Sequence, residues 1–262
     1  MTFILFGGPP ASAAEKLIAL TFDDGPRPYV LFGVRGAQPP VPGLLDVLDR
    51  QQVKATFFVM GWRLTPKTWG DRRYETNIGV TCLDALKEAV RRKHEIEDHT
   101  YSHVQLRMAA RQKGEAWVLA DVQRGAEVIR AATGVAPRYV RPPNWILPDN
   151  ARRDIERHGL RVLTIANENP PGLRDVNSLD YLCAGAHPKN CPKPSLAASV
   201  VRQIEAREKK GVYTHILAFH ELTSTTPAMP ELIAQLKARG YRFVRLDEYM
   251  NLVGPQPSRA AK

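Results

Sequence analysis

The sequence predicts an α/β protein, a single-domain (β/α) barrel, complete or open, built from parallel strands and crossover helices. Three observations predict it. Short apolar runs alternate with helix-spaced segments along the whole chain, the order that crossover connections require. The runs number six or seven, a count that suits a barrel better than an open dinucleotide-binding sheet. No Gly-x-Gly-x-x-Gly follows the first run, which weakens the dinucleotide-binding option further. At 262 residues the chain is long enough for one full core.

The elements follow in order. Residues 18–22 (Ile-Ala-Leu-Thr-Phe) form an apolar run broken at once by Asp23-Asp24-Gly25-Pro26, which reads as a buried strand entering a turn. Leu44, Leu45, Val47 and Leu48 suggest a helix, and residues 53–60 a second strand stopped by Gly61. Leu83, Leu86, Ala89 and Val90 have helical spacing, with a short strand near 95–97. Trp117, Asp121, Val122, Val128 and Ile129 belong to a long helix ending before Gly134, and residues 138–141 give a strand. Helices at 151–158, 196–210 and 230–239 then alternate with strands at 160–166, 215–219 and 241–246. Long loops at 27–42, 62–80 and 167–195 follow strand C-terminal ends, where barrel active sites are built.

Composition bounds the function. Lys+Arg 37 against Asp+Glu 27 gives a net charge of +10, and 44% hydrophobic with 24% charged residues is a globular balance. No apolar run approaches the roughly 20 residues of a membrane-spanning helix. The positive charge suits an anionic partner, but the basic residues are scattered, and no dense basic block or RNA-binding aromatic signature accompanies them. Nucleic acid is therefore not an expected partner. The cysteines, Cys82, Cys183 and Cys191, contain no Cys-x-x-Cys. Cys183 and Cys191 flank a short Gly/Pro/Asn segment, so they read either as a disulfide, which needs an oxidising compartment, or as two loop thiols. Near the N-terminus, Phe3-Ile4-Leu5-Phe6 precedes the small residues Ala11-Ser12-Ala13-Ala14. Residues 1–16 are expected to be the remnant of an export signal, with a frayed end as the alternative, although the apolar part is short and no Lys or Arg precedes it. The expected location is periplasmic or extracellular, with the cytoplasm as the alternative. Residues 251–262 are expected to form a disordered tail.

Polar groups at strand ends carry the chemistry. Adjacent carboxylates repel, so Asp23-Asp24, if buried, needs a cation or a shared proton; solvated carboxylates in an Asp-Gly-Pro turn are the plainer reading. His99 and His103 stand at i and i+4, the spacing of one helical face, and two histidines with one carboxylate make a three-ligand site open to water. Position 100 is Thr, so the metalloprotease motif lacks its glutamate base. His220 leaves the apolar run 216–219, where a satisfied core histidine is the alternative. Arg141, before Pro142-Pro143, can present its guanidinium to a carboxylate.

Together these residues resemble the polysaccharide deacetylases with NodB homology, carbohydrate esterase family 4. Thr21-Phe22-Asp23-Asp24-Gly25-Pro26 matches the first family motif and His99-Thr100-Tyr101-Ser102-His103 the second. Arg141-Pro142-Pro143 resembles the third and residues 216–220 the fifth. The resemblance covers residues 17–250 as one catalytic domain and implies a distorted (β/α) barrel, usually of seven strands. It implies that Asp24, His99 and His103 bind a divalent metal, commonly zinc, with cobalt or nickel as substitutes. It further implies Asp23 as general base, His220 as general acid, Arg141 as the group that orients Asp23, and the Asn144 backbone N–H as an oxyanion donor. The implied activity is hydrolytic removal of N-acetyl groups from an acetylated N-acetylglucosamine glycan, namely chitin oligosaccharide, peptidoglycan or poly-N-acetylglucosamine. Xylan O-acetyl esterase and glycan-binding pseudoenzyme are the alternatives.

The chain also departs from the family pattern. Asn144 stands where Tyr is common, Trp145 where Gly is common, and Ala218 where Leu is usual. The fourth motif, Asp-x-x-Asp-Trp, has its nearest likeness in Asn177-Ser178-Leu179-Asp180-Tyr181, displaced along the chain. Asp180 is assigned to pair with His220, with Glu168 as the rival. Trp62, Trp69, Tyr74 and Trp145 are candidates for stacking on sugar faces. Nothing in the sequence fixes an oligomeric state.

Overall fold

A computed structural model describes residues 15–34, 41–65, 79–148, 150–164, 175–184 and 190–253. The strands are β1 (Leu17–Gly25), β2 (Gly33–Val34), β3 (Val41–Pro42), β4 (Thr56–Val59), β5 (Glu95–Asp98), β6 (Tyr139–Val140), β7 (Arg161–Val162), β8 (Asp175–Asn177), β9 (Thr214–His220) and β10 (Arg242–Val244). The helices are α1 (Pro28–Leu31), α2 (Leu44–Arg50), α3 (Cys82–Arg91), α4 (Leu106–Lys113), α5 (Glu115–Thr133), α6 (Ala151–Arg157), α7 (Leu196–Glu208), α8 (Met229–Ala238) and α9 (Leu246–Val253). Seven parallel strands run in the order β7-β6-β5-β4-β1-β9-β8, and β10 adds beside the first residues of β1. β2 and β3 make a separate small hairpin. The sheet curls into an open, distorted barrel with its helices outside, as predicted.

Period-two alternation sorts β1 between two cores. Ile18, Leu20 and Phe22 point outward into the main cluster with Leu44, Leu86, Val200 and Leu232 of the surrounding helices. Leu17 and Ala19 point inward with Phe58, Tyr139, Ile216 and Tyr249. The outward layer is well packed: the Phe22 ring stacks on Phe57 at 5.4 Å, and truncation of such a ring to Ala costs about 3–5 kcal/mol. The same parity carries Thr21 and Asp23 to the inner face at the C-terminal end of β1. It does likewise for His220 at the end of β9, where Asp23 and His220 are register partners. A third cluster packs α4, α5 and α6 on Val140 and Val162.

Several boundaries differ from the sequence reading. The predicted strand 53–60 narrows to β4, the strand 160–166 is described only as β7, and the strand 241–246 narrows to β10. Leu246 instead begins α9, its N–H donating to Thr56 Oγ1 at 3.0 Å. Helices α1, α4 and α9, the β2–β3 hairpin and strand β8 had no counterpart in the reading. No helix among the described residues is long and apolar enough to cross a membrane. Residues 1–14 and 254–262, which carry most of the predicted export remnant and tail, lie outside the described residues, as do Trp69, Tyr74 and Glu168.

Candidate metal centre and catalytic cleft

A cleft of about 430 Å³ opens at the C-terminal ends of the strands. Asp23, Asp24, His99, His103, Asn144, Trp145, Tyr181 and His220 all line it. β1 delivers two consecutive carboxylates to one cleft through an irregularity. The pairing with β4 shifts register between Phe22 and Gly25, and Asp24 adopts a left-handed φ of 70°. The bulge turns Asp24 back toward the cleft that Asp23 already faces. Glu221 lies beneath this turn, and a Cβ on Gly25 would run into its carboxyl group, so a larger residue there would have to displace that buried side chain. Burial pushes the Glu221 carboxyl up to about 8, against the pull of Arg27 and Arg63.

His99 and His103 do not share a helix. Residues 99–103 form a turn in which Thr100 (φ 67°) and His103 (φ 56°) are both left-handed, and this fold-back brings the rings together at 4.9 Å. The His103 N–H donates to Thr100 Oγ1 at 3.1 Å. α5 clamps the turn from outside: Asp121 O accepts from Tyr101 N–H and Asp121 Oδ2 from Ser102 N–H. Gly125 of the same helix lets the backbones touch, since a Cβ there would lie 2.9 Å from Tyr101 N and would run into Asp98 Oδ1.

Asp24, His99 and His103 are the one group of three potential metal ligands found among the described residues. Asp24 Oδ1 lies 3.0 Å from His103 Nε2 and 3.4 Å from His99 Nε2. His99 Nδ1 is 2.6 Å from the Arg141 carbonyl, which can only accept, so Nδ1 carries the hydrogen. A neutral His99 therefore turns a lone pair on Nε2 toward a carboxylate oxygen, and only a proton or a cation reconciles the two. Burial raises the Asp24 pKa, but the facing His103 and His99 outweigh it and hold the carboxyl well below the usual range. The donor set, two imidazole nitrogens and one carboxylate oxygen, fits a divalent transition ion with open positions.

Two further pairs flank this group. Arg141, fully buried, donates from Nη1 to Asp23 Oδ1 at 2.6 Å and to Thr21 Oγ1 at 2.9 Å. His220 Nδ1 meets Asp180 Oδ1 at 2.7 Å, while Asp180 Oδ2 accepts from His220 N–H and from Thr225 Oγ1. Burial pulls the His220 imidazole down, but the Asp180 hydrogen bond and charge, with Asp23 and Asp24 behind them, push it up to about 9. Asp180 is fully buried, and the Cys183–Cys191 disulfide closes the segment that follows it.

The structure thus brings together Asp23, Asp24, His99, His103, Arg141, Asp180 and His220. Trp145 lines the cleft, whereas Trp62 is not among its lining residues. Thr21, Thr225, Asp121, Tyr181 and Glu221 were missed. Thr21 was findable, because it shares strand parity with Asp23; Thr225 and Asp121 reach the site only through tertiary folding.

The fold and the cleft define a class, an open α/β barrel whose cleft holds an Asp/His/His group of the kind that can bind a cation, and comparison with known proteins supplies the family. Residues 11–163, more than half of the chain, match the family model described as polysaccharide deacetylase. The chain belongs to that family. A peptidoglycan-N-acetylglucosamine deacetylase of Listeria monocytogenes is 27% identical over 91% of this chain, which spans only 40% of that relative's length. A chitin deacetylase of Colletotrichum lindemuthianum is 25% identical, covering 88% of this chain and 78% of the relative. A family 4 acetyl xylan esterase of Clostridium thermocellum, solved with a cobalt ion, superposes with a TM-score of 0.61 at 26% identity, covering 90% of this chain and 91% of that one.

Proposed function

We propose that the protein hydrolyses the N-acetyl group of N-acetylglucosamine residues in a glycan, with chitin oligosaccharide, peptidoglycan and poly-N-acetylglucosamine as the candidate polymers. The observation that carries this reading is the arrangement in one cleft of a cation-ready Asp24–His99–His103 group between an Arg141-bound Asp23 and an Asp180-bound His220. Asp24, His99 and His103 would hold a divalent ion, zinc before cobalt or nickel. Such an ion, when bound, polarises the acyl carbonyl and acidifies water.

The chain's own residues do the rest. Asp23 takes the proton of the attacking water, and Arg141 keeps its carboxylate aimed. The Asn144 backbone N–H is the candidate donor to the tetrahedral oxyanion. An amine leaves only when protonated, and His220, held as imidazolium by Asp180, delivers that proton. The disulfide supports an oxidising, exported setting. The test is acetate release from N-acetylglucosamine oligomers by chelated protein with and without added zinc or cobalt, with acetylated xylan alongside. Metal-dependent release from the amino sugar supports the reading, and release from xylan alone makes the protein an O-acetyl esterase. Tight glycan binding with no release from any substrate makes it a binding protein.

A further inference from the structure

Arg141 is among the largest fully buried side chains, and its hydrogen bonding is one-sided. Nη1 serves Asp23 and Thr21, while Nε and Nη2 are buried with no hydrogen-bond partner among the described residues. Buried charged donors left in that state are costly. What meets the guanidinium instead is a pair of aromatic rings, Phe58 at 4.1 Å and Trp145 at 4.6 Å from its central carbon. A weakly hydrated planar cation between two ring faces recovers part of that cost. Phe58 belongs to the inner core. Trp145 is the ring on the cleft side.

Trp145 holds that position against its backbone preference. Its φ is 62°, directly after Asn144 at 55°, so two successive non-glycine residues are left-handed. The turn is closed by Trp145 N–H donating to Pro142 O at 2.9 Å. A bulky residue in this region costs about 1–3 kcal/mol, whereas glycine enters it freely. Strain retained in a cleft wall, on a side chain that covers a catalytic pair, points to function rather than to folding.

We propose that Trp145 is a positioning residue that acts through Arg141: its indole seals the guanidinium from cleft water, so that Arg141 grips Asp23 through one dry bond of fixed direction. The proposal deepens the hydrolase reading above and rests on it for the meaning of the Asp23 contact. With the indole gone, water reaches Nε and Nη2. The local dielectric then rises, the Arg141–Asp23 attraction weakens, and the base samples unproductive directions.

The test compares Trp145→Gly, which relieves the strain, with Trp145→Phe, which keeps a ring over Arg141. Phenylglyoxal labelling of the folded proteins, read by peptide mass spectrometry, reports the seal without any reaction. Arg141 is expected to be protected in the parent and in the Phe variant and labelled in the Gly variant. In acetate release, kcat is expected to fall about 10–100-fold for Trp145→Gly, with a smaller change in KM and most of the loss restored by Trp145→Phe. Protection of Arg141 in the Gly variant overturns the proposal. A rise in KM at unchanged kcat also overturns it, because that marks a sugar-stacking wall. If the parent releases no acetate from any substrate, the hydrolase reading fails, and the labelling result decides the seal alone. Unfolding midpoints check that both variants are folded; if the Gly variant is not, the proposal stands only on protection retained in the Phe variant and lost in Trp145→Leu.

Discussion

Replacing Asp180 by Asn removes one charge and inverts one hydrogen bond, and both changes act on His220. In the parent, Asp180 Oδ2 accepts two donors, His220 N–H and Thr225 Oγ1, leaving Oδ1 for His220 Nδ1–H. The amide of Asp180→Asn can satisfy those two donors only by turning its carbonyl toward them, which aims its NH2 at His220 Nδ1. An imidazolium cannot tolerate a donor there, so the substitution favours the neutral ring. The displacement of His220 from an ordinary 6.5 to about 9 corresponds to about 3 kcal/mol in favour of the charged form. Without Asp180 the largest upward pull is gone while burial still presses the imidazole down, so the pKa falls from about 9, with only the charges of Asp23 and Asp24 opposing the fall. At pH 7 the ring, roughly 99% protonated in the parent, loses protonation in the variant as its pKa falls. Long-range imidazole 15N–1H NMR on the metal-free protein, titrated across this range, measures the change directly, and kcat for acetate release is expected to fall about 10²–10⁴-fold. A histidine pKa raised by folding stabilises the native state fully below 6.5 and ceases to do so as pH rises through 9. The stability difference between parent and variant should therefore shrink over that interval. Persistent titration of His220 near 9 in the variant would refute the reasoning.

Three further outcomes follow from the same geometry. Glu221, pushed up to about 8 by burial, favours the folded state below 4.5 and loses that contribution as pH rises through 8. Glu221→Gln should flatten the pH dependence of denaturant unfolding over that window and be the more stable form at its upper end, and an unaltered curve counts against a buried protonated carboxyl. Asp23→Asn should retain zinc affinity, measured by competition with a chromophoric chelator, while losing about 10²–10⁴ in kcat; His103→Ala should lose the affinity itself, and equal affinities in the two variants would dismiss the ligand assignment. Gly125→Ala drives a Cβ toward Asp98 Oδ1 and the backbone of Thr100 and Tyr101, so it should cost about 1–3 kcal/mol in unfolding and weaken zinc binding through the displaced histidine turn. A variant with parental stability and affinity would mean that α5 does not clamp that turn.

What was legible in the sequence, and what was not, divides along a physical line. β1 and β9 could be read because a strand buried on both faces needs an unbroken apolar run, and Asp23 and His220 could be placed because each terminates one. β8 could not: Asp175-Val176-Asn177 carries no such run, and its strand geometry comes from pairing with Ile216, Leu217 and Ala218. α4 hid for a related reason, since Leu106-Arg-Met-Ala-Ala-Arg-Gln-Lys buries only Leu106 and Ala109. The histidine pair marks the sharper limit. Its i, i+4 spacing fits a helix, yet Thr100 and His103 are held in left-handed conformations, and the turn they make is clamped by α5 through Asp121 and Gly125. The three side chains therefore meet as the sequence reading expected, but through a turn and not along a helix face. Spacing constrains which side chains can meet, while the conformation that makes them meet is set by elements twenty residues away or more. Asp180 obeys the same rule from the other side. Its motif is displaced along the chain, but β8 carries it to the inner end of β9, so that a carboxylate reaches His220 by a different path. What holds His220 in place is the meeting of Asp180 with Nδ1 and the backbone N–H, and that meeting depends on where the chain carries the carboxylate and not on its spacing along the sequence.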